Sequence, residues 1–348
     1  MLTDSTESDR SGLKAALLKM SDYMNADKRK IILAGGSGFL GQTLANWFAA
    51  RNYEVVVLTR FPRRQSGAIR DVFWDGKNIG GWTEEFEDAL AVVNLAGRSV
   101  NCRYHARNRK EILDSRIDST RAVGEAIRQR KQPPRVWLNS STATIYRHSL
   151  DGAWDEAGEI GAAAEAKDVF SVDVANAWES SVDEIATPAT RKVILRSAMV
   201  LGLGANSVFP MLRRLARFGL GGKMASGRQF VSWIHHEDFC RAIEWLIEHE
   251  DLSGIVNLAA PNPLPNREMM RIFRHVCGVP IGLPAPLWLL EIGTFLLRTE
   301  TELVIKSRRV IPKRLKEAGF TFRFRDMESA VRALEREIRN GLTTDGQR

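Results

Sequence analysis

The chain has 348 residues, 44% of them hydrophobic, enough to bury a full core as one large domain or two unequal ones. Its formal charge of +8 raises the question of nucleic acid, but the lysines and arginines are spread through helices and loops with no motif or basic-aromatic platform, which argues against that partner. Three scattered cysteines, Cys102, Cys240 and Cys277, make neither a disulfide framework nor a Cys-x-x-Cys metal site, and they suit a reducing, cytoplasmic setting.

Residues 1–29 are polar and mixed in charge. They lack the apolar core of a signal peptide, and Asp4, Glu7 and Asp9 argue against a mitochondrial presequence. We expect a mobile extension with one short helix, Leu13 to Met20. The apolar run Ile31-Ile32-Leu33-Ala34 then predicts a strand, followed by Gly35-Gly36-Ser37-Gly38-Phe39-Leu40-Gly41 and a helix-like stretch from Thr43 to Ala50. Strand, glycine turn and helix form a dinucleotide-binding fingerprint. Its glycines permit a sharp turn, close approach of a pyrophosphate, and tight helix packing, with the phosphates at the helix N-terminus. Gly35, Ser37, Gly38, Phe39, Leu40 and Gly41 are therefore cofactor-binding candidates, the alternative being a plain tight turn.

Tyr53 to Leu58 predicts a buried parallel strand. An acid about 20 residues past the glycine turn would hold the ribose 2′-hydroxyl of NAD. The chain instead reads Thr59-Arg60-Phe61-Pro62-Arg63-Arg64, with no acid until Asp71. A guanidinium there can pair with a 2′-phosphate, which points to NADP(H), with Arg60 leading, Arg63 or Arg64 in support, and Thr59 a further cofactor-binding candidate. A solvated loop is the other reading of these arginines.

Strands and helices go on alternating. Ile69 to Trp74, Ala89 to Leu95, Arg135 to Asn139 and Lys192 to Arg196 read as strands. Between them lie a long helix with Leu113, Ile117, Thr120, Gly124 and Ile127 on one face, and a helix around Val174 to Ile185. That order requires an α/β fold, a Rossmann-type doubly wound parallel sheet, because right-handed crossovers allow little else. We place it over residues 30–200 with strands from about 230–260. A smaller substrate-side and C-terminal region covers 201–335, with a polar tail at 336–348. Leu283 to Leu297 falls short of the roughly 20 residues that span a bilayer, so a buried helix is expected and no membrane partner.

Several segments carry a family resemblance: the glycine turn, Asn94-Leu95-Ala96-Gly97, and Ser140-Ser141-Thr142-Ala143-Thr144-Ile145-Tyr146. Together they resemble the extended short-chain dehydrogenase/reductase family of epimerases and dehydratases. Later segments, Leu195 to Leu201, Gly219 to His235, and Arg309 to Phe320, resemble its atypical epimerase-like, or YfcH-like, branch with a C-terminal domain of unknown function. The resemblance covers about residues 30 to 335. It implies cofactor contacts at Leu95, Ala96, Gly97 and Ser140, and pairing into a homodimer through the stretches after Ala106 and around Val174.

The family's catalytic set is a Ser or Thr, a Tyr, and a Lys four residues after the Tyr. The resemblance puts Thr142 at the hydroxyl position, but Ser171 and Ala175 stand where the Tyr and Lys belong. Tyr146 is either a substitute acid or a packing tyrosine. Arg103, Tyr104 and His105 lie on the loop that covers the nicotinamide in such folds, or are simply solvated. His235, Asn206, Phe209 and Arg228 are substrate-side candidates by the same resemblance, with structural roles the alternative; Arg196 braces the site. Adjacent residues of a strand point to opposite sides, so His235 and His236 are not expected to share a metal.

The leading expectation is an NADP(H)-dependent oxidoreductase or isomerase acting on a small polar substrate through an unconventional proton relay. The alternative is a non-catalytic NADP(H)-binding redox sensor. A conventional nucleotide-sugar epimerase is disfavoured by the missing tyrosine–lysine pair.

Overall fold

A computed structural model describes residues 29–65, 67–204, 207–296, 300 and 302–341. All but the last residue of the expected N-terminal extension lies outside them, as do Asn206 and the end of the tail. Seven strands form the central sheet: β1 (Lys30–Ala34), β2 (Glu54–Thr59), β3 (Ile69–Phe73), β4 (Ala91–Asn94), β5 (Val136–Thr142), β6 (Arg191–Ser197) and, later in the chain, Gly254–Leu258. They run in the spatial order 3-2-1-4-5-6 with Gly254–Leu258 at the outer edge, and all six pairings are parallel. The doubly wound sheet expected from the alternation is the one observed.

The period-two alternation of side chains divides the core into two layers. Ile31, Leu33, Val55 and Val57 pack against helices α1 (Phe39–Ala49) and His236–Glu248, through Leu44, Phe48, Phe239 and Ile243. Ile32, Val56, Leu58 and Val92 face the other way, onto α2 (Ala106–Arg128) and α3 (Val169–Asp183) through Val123, Ile127 and Val182. Gly124 sets the closest approach of α2, since a Cβ there would lie 2.5 Å from Ile185 Cδ1. The expected face of α2 is correct at Thr120, Gly124 and Ile127. Leu113 and Ile117 are only half-buried, and Ile112 and Val123 are buried instead.

The C-terminal region has a third apolar cluster. It joins α4 (Val208–Arg217) to Asn266–Cys277 and Met327–Arg339 around Phe209, Phe273 and Leu334. The helix expected to be buried runs from Leu287 to Leu296, but Leu287, Trp288 and Leu289 are 44%, 63% and 41% exposed. The apolar run supports the helix, while none of the described residues covers its first turn. Among the described residues no helix is long and apolar enough to cross a membrane.

Candidate functional site

A cleft of about 500 Å³ opens at the carboxyl edge of the sheet, bounded by the turn after β1 and the ends of β4, β5 and β6. The chain reverses its winding between β1 and β4, which is where open parallel sheets hold ligands. Helix α1 begins at Phe39 with Gly38 as its extended N-cap. Among the described residues no side chain caps it, and no acid stands in its first turn. Its N-terminal N–H groups and the positive end of its dipole are thus left for an anion.

Three glycines of the turn have distinct roles. Gly35 sits at φ +74°, and a Cβ there would lie 2.6 Å from Ala96 Cα. At Gly41 a Cβ would lie 2.3 Å from Gly36 Cα, so this glycine lets the helix close on the strand. A Cβ on Gly38 would meet nothing within 4 Å. The turn is therefore tightly packed behind and open in front, a cradle that suits a pyrophosphate.

The expected cofactor contacts Gly35, Gly38, Phe39, Leu40, Gly41, Leu95, Gly97 and Ser140 line this cleft. Ser37 is exposed beside the turn, and Ala96 is buried behind it. The Asn94 turn is held from below: Asn94 Oδ1 accepts from the Ala96 N–H at 3.1 Å, while Asn94 Nδ2 donates to Asn139 Oδ1 at 2.7 Å. Such buried amides are paired because an unmet polar group costs about 1–3 kcal/mol.

Thr59, Arg60 and Arg64 lie at and beyond the end of β2, next to the turn. Thr59 is buried and accepts from the Phe61 N–H at 3.3 Å. Arg60 is exposed; its guanidinium lies 5.9 Å from the Phe61 ring and, among the described residues, has no ion pair. Arg64 is committed to Asp71, with Nε and Nη2 at 2.9 and 2.7 Å from Oδ1. Arg63 contributes its backbone N–H to the same carboxylate at 2.9 Å. Although burial works the other way, these hydrogen bonds hold the Asp71 carboxyl below its ordinary range. Asp71 thus neutralises Arg64, while the exposed guanidiniums of Arg60 and Arg63 have no ion pair among the described residues.

At the far end of the cleft, Thr142 lines the wall and its Oγ accepts from the Thr144 N–H at 3.1 Å. Ser141 donates to Glu179 at 2.5 Å, and Arg196 forks the same carboxylate at 2.9 and 2.7 Å. Arg196 is 1% exposed, so it braces α3 against β6. The substitute-acid reading of Tyr146 needs correction. The residue is 1% exposed, does not line the cleft, and gives its hydroxyl to Asn257 Oδ1 at 2.8 Å. Burial raises its pKa despite Arg196 stacked 4.9 Å from the ring. It packs because the short helical turn after Thr142 carries it back into the core.

Ser171 and Ala175 both lie on α3, as the register requires, Ser171 in the cleft wall and Ala175 buried. Ser171 donates to the carboxylate of Glu302. Tyr104 is not a solvated loop residue. Its N–H donates to Glu300 at 2.7 Å, and its ring packs edge-on to Phe170 at 5.1 Å. Its hydroxyl lies on the Ser171 side of the cleft, and burial pushes its pKa up to about 12. Arg116, absent from the expected set, also lines the cleft, its guanidinium 4.9 Å from the Trp178 ring. Burial pushes its pKa down to about 10. Tyr104 was visible in sequence only as a loop position. Arg116 and Glu302 carried no local signal, because only the packed helices and the distant C-terminal segment bring them to the cleft.

Of the substrate-side residues expected by resemblance, the three described ones, His235, Phe209 and Arg228, do not gather here. His235 is fully buried, stacked 3.8 Å from the Phe324 ring, and caps the next helix by accepting from the Glu237 N–H at 3.2 Å. Phe209 is buried in the C-terminal cluster, and Arg228 is exposed on a loop that does not line the cleft. The expectation that His235 and His236 diverge also fails, since their rings lie 4.5 Å apart. His235 ends a strand and His236 begins a helix, so strand alternation does not apply. With Glu337 their ligand atoms lie within 4.8 Å. However, His235 Nδ1 is the acceptor at the cap, which leaves the proton on Nε2 and no lone pair for an ion.

Comparison with known proteins agrees with this geometry. The model of the NAD dependent epimerase/dehydratase family matches residues 31–259, and that of a domain of unknown function, DUF1731, matches residues 285–334. The chain is 30% identical to the epimerase family protein YfhF of Bacillus subtilis over 87% of this chain and 97% of that protein. It is 30% identical to the epimerase family protein SDR39U1 of Bos taurus, over 87% and 98%. The crystal structure of human SDR39U1 isoform 2 with NADPH superimposes with a TM-score of 0.76 and 26% identity, covering 88% of this chain and 99% of that one. A UDP-N-acetylglucosamine 4-epimerase from Bacillus cereus, at 18% identity and a TM-score of 0.65, shares the fold. With its parallel sheet, its open glycine turn and a family match over most of its length, this chain belongs to the NAD dependent epimerase/dehydratase family.

Proposed function

We propose that this protein binds NADP(H) along the carboxyl edge of its sheet and uses it in oxidoreduction or isomerisation of a small polar substrate. The observation that carries the reading is the uncapped N-terminus of α1 with Gly38 open to the cleft, a site shaped for a pyrophosphate. Arg60 supplies an exposed guanidinium beside it, the group a 2′-phosphate calls for. The relative crystallised with NADPH supports the same choice. A bound nicotinamide supplies hydride chemistry, and the chain must supply the proton.

Thr142, Tyr104, Ser171 and Arg116 converge on the remaining volume, three hydroxyls and one cation. That set favours a substrate bearing hydroxyl or carbonyl oxygens and an anionic group. A second reading, a cofactor-binding protein without turnover, draws on Ala175, a buried methyl where the family carries its ammonium. Fluorescence titration with NADPH and NADH, followed by a screen of carbonyl compounds for NADPH oxidation, separates the two. Tight, NADPH-selective binding with turnover supports the enzyme; tight binding without turnover of any compound supports the sensor; binding of neither cofactor removes both.

A further inference from the structure

The site lacks the family's tyrosine and lysine, yet Ser171, at the tyrosine's own register, is not idle. Its hydroxyl donates to Glu302, which lies 131 positions further along the chain, in the C-terminal region. Glu302 is buried, and Ser171 and Tyr104 both line the cleft. Tyr104 is fixed at two points, its N–H on Glu300 and its ring on Phe170, and its hydroxyl lies on the Ser171 side of the cleft. A tyrosine thus reaches the site from the loop before α2 rather than from α3, and a carboxyl stands behind it.

We propose that Tyr104, Ser171 and Glu302 form a hydroxyl relay that exchanges a proton with the ligand in the cleft, in place of the missing tyrosine–lysine pair. The proposal rests on the reading of the cleft as a site for a hydroxyl- or carbonyl-bearing ligand. A serine has one hydrogen, so its direction sets the chain. When Glu302 is ionised, Ser171 donates to it and accepts from Tyr104, whose lone pair then faces the cleft to accept a ligand hydroxyl. When Glu302 is protonated the order reverses, and Tyr104 donates to a ligand carbonyl.

Taking a proton from a ligand alcohol breaks its O–H bond and leaves the electron pair on the ligand oxygen. Tyr104 gains that proton and passes its own to Ser171, whose proton moves to Glu302. One proton has then moved from ligand to carboxylate, and both hydroxyls are restored.

The surroundings suit a proton store. Burial raises the Glu302 pKa; the Ser171 hydrogen bond and Arg308 oppose it, Asp168 adds to it, and Lys306 opposes it. Around Tyr104 the charged or titratable neighbours are Glu302, Cys102, Arg116 and Arg308, with Glu300 and Arg109 at its backbone. The carboxyl therefore titrates closer to neutrality than a solvated one, where it can both take and return a proton.

The test follows the coupling directly, in the full-length chain. A carbon-13 label on the tyrosine rings, assigned by loss of one signal in Tyr104→Phe, is followed against pH. In parallel, the infrared band of a protonated buried carboxyl is assigned by its loss in Glu302→Gln. The expected result is one shared midpoint for the Tyr104 signal and the Glu302 band. In Ser171→Ala the Tyr104 shift should shrink several-fold, and Ser171→Thr should restore it. A Tyr104 signal indifferent to the Glu302 midpoint, or unchanged in Ser171→Ala, overturns the relay. NADPH titration of the same samples keeps the two readings apart. Failure of wild-type chain to bind NADPH overturns the cofactor reading, whereas lost coupling in protein that still binds NADPH overturns the relay alone.

Discussion

The ammonium of Lys306 lies against the carboxylate of Asp168 with both side chains fully buried, which ties the C-terminal region to the residue just before α3. Lys306 also donates to the carbonyl of Thr144 in the cleft wall, and Asp168 takes the Ala163 N–H at 2.8 Å. Burial lowers the lysine's pKa and its partner's charge opposes that. The pair clamps the wall of the cleft between two parts of the chain. Removing one partner strands a buried charge, so Lys306→Met should cost about 3–5 kcal/mol in urea unfolding. Lys306→Met with Asp168→Asn should recover part of it. A single-variant loss below about 1 kcal/mol, the scale of a surface pair, would contradict the buried arrangement.

Two glycines of one turn should respond in opposite ways. Gly38→Val projects into open space, so folding should survive while NADPH and NADH binding are both lost. Gly41→Val meets the Gly36 backbone, which cannot give way, so thermal stability should fall first. Melting curves and cofactor titration on the two variants check this. Normal binding by folded Gly38→Val would move the phosphate site elsewhere.

Arg60→Ala should weaken NADPH binding by about 2–4 kcal/mol and leave NADH nearly unchanged, because only the 2′-phosphate meets the guanidinium. Arg64→Ala should act mainly through stability, by leaving Asp71 without its strongest partner. Equal losses for both cofactors in Arg60→Ala would show that this charge does not read the 2′-phosphate.

His235 makes acid stability a readout of burial. Desolvation, with the positive neighbours His236 and Arg323, pushes its pKa down to about 2. The folded imidazole stays neutral while the unfolded one takes a proton near pH 6.5. The unfolded state therefore binds more protons, and stability is lost as pH falls from about 6.5 towards 2, by up to about 1.4 kcal/mol per pH unit. His235→Asn keeps a good N-cap and lacks the proton, so its stability should fall less steeply with acid. An unchanged slope in urea titrations at several pH values would rule the assignment out.

The glycine turn, the strand alternation and the arginine after β2 were legible because each is local. A turn that needs φ above zero, a period of two, and a missing acid all show in a few consecutive residues. Contacts between residues that meet only after folding leave no such local mark. Tyr146 and His235 carry reactive groups near the right strands, but the short turn after Thr142 and the cap at His235 send both into the core. Glu302 and Lys306 reach the site helix across more than a hundred residues, a separation over which sequence spacing holds no information on contact.

What the sequence by itself determined is therefore the parallel sheet and the phosphate turn, both set by backbone geometry and side-chain periodicity. The tertiary structure alone decided which hydroxyls face the cleft, which arginine after β2 is tied to Asp71, and which carboxyl stands behind Ser171. Those depend on burial and on charge pairing between distant segments, and neither exists until the chain has packed.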